Sequence, residues 1–174
     1  MKRTIRAIAF ALVVSLSLAA AGAAETITVY GNAAAKADDS LTIEDMLLYA
    51  AQDEYFARAE YVAIMAKFGA ARPFTNIKSA EENHLAWLKD AFAAYTLQFP
   101  RDEAANYVQV PATLLDAYKA GVQAEIDNIA MYDRFLASPL PQGGQNPDLK
   151  TLFTNLKNGS LNHLDSFQRQ VGKY

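Results

Sequence analysis

The chain has 174 residues, 52% of them hydrophobic, 20% charged and 11% aromatic, a mixture too apolar and too aromatic for a disordered or low-complexity polypeptide. The formal net charge is only −3, no run of one sign occurs, and cysteine is absent. Polybasic nucleic-acid binders, disulfide scaffolds, zinc ribbons, thiol nucleophiles, iron–sulfur clusters and lipoprotein anchors are thereby excluded. Two histidines are present, His84 and His163.

Residues 1–24 have the three parts of a secretory signal peptide: cations at Lys2, Arg3 and Arg6, an apolar run over 7–20, and small residues up to Ala24. The apolar run is shorter than the roughly 20 residues of a spanning helix. The expectation is therefore cleavage near Ala24 and a periplasmic or secreted protein, not a membrane anchor. Cleavage removes three cations and no anion from a chain with 16 cations and 19 anions, leaving a mature charge of −6. Such a protein is expected to bind neither nucleic acid nor membrane; small molecules or cations suit it better, with a homo-dimer as the default assembly. Residues 25–40 show no periodicity and read as a flexible lead-in, with one folded domain over 41–174.

Four long helices follow. The first, over 42–69, is capped by Ser40 or Thr42 and places Ile43, Leu47, Ala50, Glu54, Ala57, Tyr61, Ile64 and Phe68 on its inward seam. The second runs from Thr75 or Asn76 to about Phe99, ahead of Pro100, with Ile77, Glu81, His84, Leu88, Ala91 and Tyr95 inward. The third has Pro111 in its first turn, ends near Ser138, and has the seam Leu115, Tyr118, Val122, Glu125, Ile129, Tyr132 and Leu136. After the loop SPLPQGGQ, Asn146 caps a last helix with Pro147 at its first position and the seam Leu149, Phe153, Leu156, Ser160, His163 and Phe167. With no strand signal, the fold class is an all-α four-helix bundle. The connection over 100–110 can span about 36 Å at roughly 3.3 Å per residue. A long crossover between helices two and three is expected, with an up-down-up-down path as the alternative.

One carboxylate interrupts each of the first three seams, and both histidines fall on core faces. An unpartnered buried carboxylate costs several kcal/mol, and the nearby cations Lys67, Lys78, Lys89 and Arg134 lie off the inward positions. Taken singly, each residue has an ordinary explanation: a solvated Glu54, a hydrogen-bonded core His84 or His163, or a Ser79–Glu82 capping box that starts helix two late and leaves Glu81 in its first turn. Taken together, Glu54, Glu81, His84, Glu125 and His163 form an O/N ligand set larger than one tetrahedral zinc uses. Two iron or manganese ions per chain fit it better, or one octahedral ion. Bundles of this kind place one Glu on each of two helices and a Glu-x-x-His pair on each of the others. Helix two has the full pair, whereas helix four has Ser160-x-x-His163. Ser160 is a weak ligand, a donor to a bound water, or a small residue that leaves a coordination position open. Tyr61 and Tyr132, seven residues past Glu54 and Glu125, are either packing residues or redox or hydrogen-bonding neighbours of the ligands. Asn83-His84-Leu85 is echoed by Asn162-His163-Leu164, a faint internal repeat.

Through DEYFARAEY (53–61), PFTNIKSAEENH (73–84), AGVQAEIDNI (120–129) and LKNGSLNHLDSF (156–167), the sequence resembles the ferritin-like superfamily, most closely an uncharacterised prokaryotic family of ferritin-like domains of unknown function. The resemblance covers about 41–171 and implies a ferritin-like bundle with a carboxylate- and histidine-bound metal site; a Ser before Asn-His-Leu is a trait of that family. It supplies no reaction. The expected function is a dinuclear metal protein with oxidase-type (ferroxidase-like) or peroxide-linked activity toward dioxygen or peroxide. The alternative is a non-enzymatic metal-binding, storage or metal-stabilised structural module.

Overall fold

The computed structural model describes residues 29–142 and 146–174, so the expected export segment lies outside the described residues. The described chain is all-helical: α1 Asn32–Ala37, α2 Ile43–Phe68, α3 Phe74–Ala94, α4 Leu114–Ala137, α5 Pro139–Gln142 and α6 Pro147–Val171, with one 3-10 turn at Ala104–Asn106.

Thr42 starts α2. Its hydroxyl accepts the Asp45 N–H while the Asp45 carboxylate accepts the Thr42 N–H, which satisfies two backbone donors reciprocally. Thr113 caps α4 in a similar way by accepting the Asp116 N–H. Pro111 therefore lies ahead of α4 and not in its first turn, and its carbonyl accepts a bond from Lys67 Nζ at 2.6 Å. Pro147 opens α6 as its composition suggests, but the Asn146 side chain does not cap it. Asn146 instead donates to the Leu140 carbonyl and accepts from the Tyr95 hydroxyl.

Helix α3 stops at Ala94, well before Pro100. Thr96 takes φ 57°, its N–H bonds the Ala93 carbonyl, and the Leu97 N–H bonds the Phe92 carbonyl. This closing turn normally uses glycine, because a β-branched residue there is strained by about 1–2 kcal/mol. Since the Thr96 side chain is exposed, Thr96→Gly is expected to stabilise the protein by about 1 kcal/mol, raising Tm by about 3 °C. A melting curve showing no rise would remove the strain argument.

Two apolar clusters fix the helix directions. One joins the early turns of α2 and α6 to the late turns of α3 and α4, through Leu47, Leu88, Phe135 and Phe153. The other joins the late turns of α2 and α6 to the early turns of α3 and α4, through Ile64, Phe74, Tyr118 and Phe167. Hence α2 and α6 run one way and α3 and α4 the other. The chain must cross from one end to the other between α3 and α4, and it does so along α2: Tyr55 bonds the Pro100 carbonyl, Arg58 pairs with Asp102, and Lys67 bonds Pro111.

Part of the expected flexible lead-in is folded. Helix α1 lies across α2 and α4 with Ala35 buried. Both Asn32 donors, backbone and side-chain, bond Asp53 Oδ1 at 3.0 and 2.7 Å, and the Arg134 guanidinium donates to the carbonyls of Ala35 and Asp38.

Candidate metal centre

Between the two apolar clusters lies a polar layer. Glu54, Glu81, His84, Glu125, Ser160 and His163 are all buried, with His163 the most exposed at 7%. Helix α3 begins at Phe74, so Glu81 stands in its third turn; Ser79 bonds the Thr75 carbonyl and Glu82 pairs with Lys78, which rules out the late capping box. Glu81 and His84 share one face of α3, as their spacing requires.

The structure brings the five residues into two groups. Glu54, Glu81 and His84 form one, and Glu81, Glu125 and His163 the other, the ligand atoms of each within 4.8 Å of one another. Glu81 belongs to both. Its Oε2 is 2.9 Å from His84 Nδ1 and its Oε1 3.2 Å from His163 Nδ1. His84 Nδ1 is also 3.0 Å from Glu54 Oε2, and His163 Nδ1 is 3.5 Å from Glu125 Oε1.

Hydrogen bonding alone does not account for these atoms. His84 Nδ1 can donate one proton yet faces two carboxylates, while His163 Nδ1 and Glu125 Oε2 have no hydrogen-bond partner although both are buried. Neighbouring ligands on an octahedral ion with bonds of about 2.1 Å are about 3.0 Å apart, the spacing seen here. The donor set therefore fits a hard divalent cation. None of these carboxylates pairs with Lys or Arg among the described residues; Arg58, Lys78, Lys157 and Arg169 all pair with acids outside the cluster.

Excess negative charge dominates the electrostatics. Burial by itself lowers each imidazole, but Glu54 and Glu81 around His84, and Glu125 and Glu81 around His163, more than reverse this and raise both to about 10. Burial and the repulsion of Glu81 push Glu54 up. Glu81 is held low against its own burial by the two imidazoles.

Two tyrosines close the layer from opposite ends. Tyr132 donates to Glu54 Oε1 at 2.6 Å and Tyr61 to Glu125 Oε1 at 2.9 Å. Each thus occupies one carboxylate oxygen; the other faces His84 Nδ1 in Glu54 and has no hydrogen-bond partner in Glu125. Burial, with Glu54 or Glu125 adding, holds both phenols protonated well above their usual range. The exchange is reciprocal, α2 to α4 and α4 to α2, and Phe74 and Phe153 pack at the corresponding places against Tyr61 and Tyr132. The Asn-His-Leu echo thus extends to a two-fold plan in which Ser160 stands where Glu81 stands in the other half. The two His rings are 5.7 Å apart with 29° between their planes, and Trp87 lies against His84.

Three residues escaped the sequence reading. Asp53 and Glu60 are buried one position before the seam residues Glu54 and Tyr61, and Asn128 is buried beside Glu125 on α4. Burial raises Asp53 to about 8 against the Asn32 bonds, and burial with Glu125 raises Glu60 to about 7. The seven-residue spacing of Asp53 and Glu60 was the available signal. Gly159 lies directly against the His84 ring.

Fold and site together define an all-helical protein with a buried, carboxylate-rich Glu/His cluster that could hold a metal ion. Residues 43–174 match the family model described as "Uncharacterized protein domain (DUF2202)", and the chain belongs to that family. No curated protein and no solved structure matches it. Among the described residues no helix is long and apolar enough to cross a membrane.

Proposed function

We propose that the chain is an exported, ferritin-like four-helix bundle built from α2, α3, α4 and α6, and that its polar layer holds a dinuclear iron or manganese centre. The observation that carries this reading is the pair of ligand groups joined by Glu81. Glu54 and His84 would hold one ion and Glu125 and His163 the other, with Glu81 belonging to both groups. Two such ions supply electron-transfer chemistry toward dioxygen or peroxide. The chain's own part is to orient the ligands: Tyr61 and Tyr132 fix the carboxylates, the apolar clusters exclude water on both sides, and Ser160 leaves room where the two-fold plan would place a further carboxylate.

Burial of every ligand also supports a second reading, in which the ions stabilise the core and no turnover occurs. One experiment separates the two. Anaerobic loading with ferrous iron, removal of excess and counting of ions is expected to give two per chain. A free-ion concentration 100 times Kd should stabilise the fold by about 2.7 kcal/mol, reversibly with chelator. Oxidation of the loaded iron by dioxygen or peroxide supports the redox protein, and stabilisation without oxidation supports the structural one. No ion bound, with manganese and zinc also tested, overturns both.

A further inference from the structure

A cavity of about 510 Å³ opens between α2 and α4; none of the five candidate ligands lines it, but Glu60 in its wall is near enough for Glu125 to repel it. Exposed Asp127 and Gln123 stand at its mouth, and buried Asp53 and Glu60 line it within. Tyr30, from the segment before α1, and Tyr107, from the crossover, stack over it with ring centroids 4.4 Å apart. The two inner carboxylates differ in what they can do. Asp53 Oδ1 is taken by the two Asn32 donors, whereas Glu60 Oε2 is buried without any partner in a residue only 6% exposed. Each also adjoins the centre through the chain: Asp53 precedes Glu54, and Glu60 precedes Tyr61, whose hydroxyl bonds Glu125.

We propose that this cavity is the way in for divalent cations, with Asp127 attracting the ion at the mouth and the free Glu60 carboxylate holding it before transfer to Glu125. An unpaired carboxylate in a low-dielectric wall is costly when ionised, a cost that a visiting cation would offset, and acids along a cleft raise the local cation concentration. Asp53, anchored by Asn32, keeps the α1 segment in place over the site. The inference rests on the metal-centre reading.

The test follows cobalt(II) uptake by the metal-free protein through the rise of its visible absorption in a stopped-flow instrument. Glu60→Gln, which keeps shape and removes charge, is expected to slow loading at least tenfold while the final cobalt content stays at the wild-type value. Asp127→Asn is expected to slow it two- to threefold, and, being exposed, it serves if Glu60→Gln fails to fold. Loading of both variants at the wild-type rate overturns the proposal. A lower final content in Glu60→Gln also overturns it, because Glu60 would then be a ligand of the centre. Cobalt binding by the wild type separates these failures from failure of the centre itself, in which the wild type takes up none.

Discussion

Glu81→Gln is expected to reduce bound metal from two ions per chain to one or none, with affinity for any remaining ion lowered more than ~100-fold. Glu81 is the one carboxylate that both ligand groups share, each of its oxygens facing a different histidine. Loss of groups that merely orient ligands already costs 10–100-fold in affinity, and Glu81 would be a ligand in both groups. The metal-free fold should lose about 3 kcal/mol, the lower end for breaking a buried ion pair, because His84 keeps Glu54 and His163 keeps Glu125. Metal counting and thermal melting check both parts. Glu82→Gln, one residue along and exposed, is the matched control and should change neither by much. Two ions retained at wild-type affinity in Glu81→Gln would end the shared-ligand account.

Gly159→Ala should strip one ion and leave the other. A Cβ at position 159 would stand 2.5 Å from His84 Cε1 and 2.6 Å from Nε2, so the ring must move. It has little freedom, with Glu54 and Glu81 at its Nδ1 and Trp87 and His163 against its faces. Alanine gains about 1 kcal/mol over glycine in a helix interior, while overpacking costs about 1–3 kcal/mol. A net loss of about 1 kcal/mol is expected. The sharper readout is stoichiometry, which should fall from two ions to one, on the Glu125–His163 side. Gly121→Ala supplies the comparison: its Cβ would meet the Phe167 ring at 2.8 Å, away from the ligands. That variant should lose stability and keep both ions; equal stoichiometry in the two variants would show that Gly159 has no special place beside the centre.

The buried polar positions were legible because a helix repeats. Steps of three and four along each seam put Glu54, Glu81, His84, Glu125, Ser160 and His163 inward, and the buried layer contains all six. The seam of α4 was less well read: Val122 and Ile129 are only half-buried, whereas Gly121 and Asn128 are buried. What stayed illegible depends on distant partners or rare backbone. Helix α1 forms in a segment without periodicity because Asp53, 21 residues on, and Arg134, 99 residues from Ala35, supply its bonds. The end of α3 depends on Thr96 adopting a conformation its side chain disfavours. Glu60 resembles any solvated glutamate until α4 and the crossover are packed around it.

The order of the chain divides the two ligand groups unequally. Glu54, Glu81 and His84 all precede the crossover, so a chain growing from its amino terminus owns a complete triad once α3 is finished. The later helices bring only Glu125 and His163, and their triad exists only after α4 and α6 dock against α3. Under the proposed two-ion reading, the first half would thus contribute three of the five candidate ligands before the crossover and the second half only two. On that reading the same asymmetry would make the Glu125–His163 side the first to lose its ion when the halves part, since Glu81 stays with Glu54 and His84.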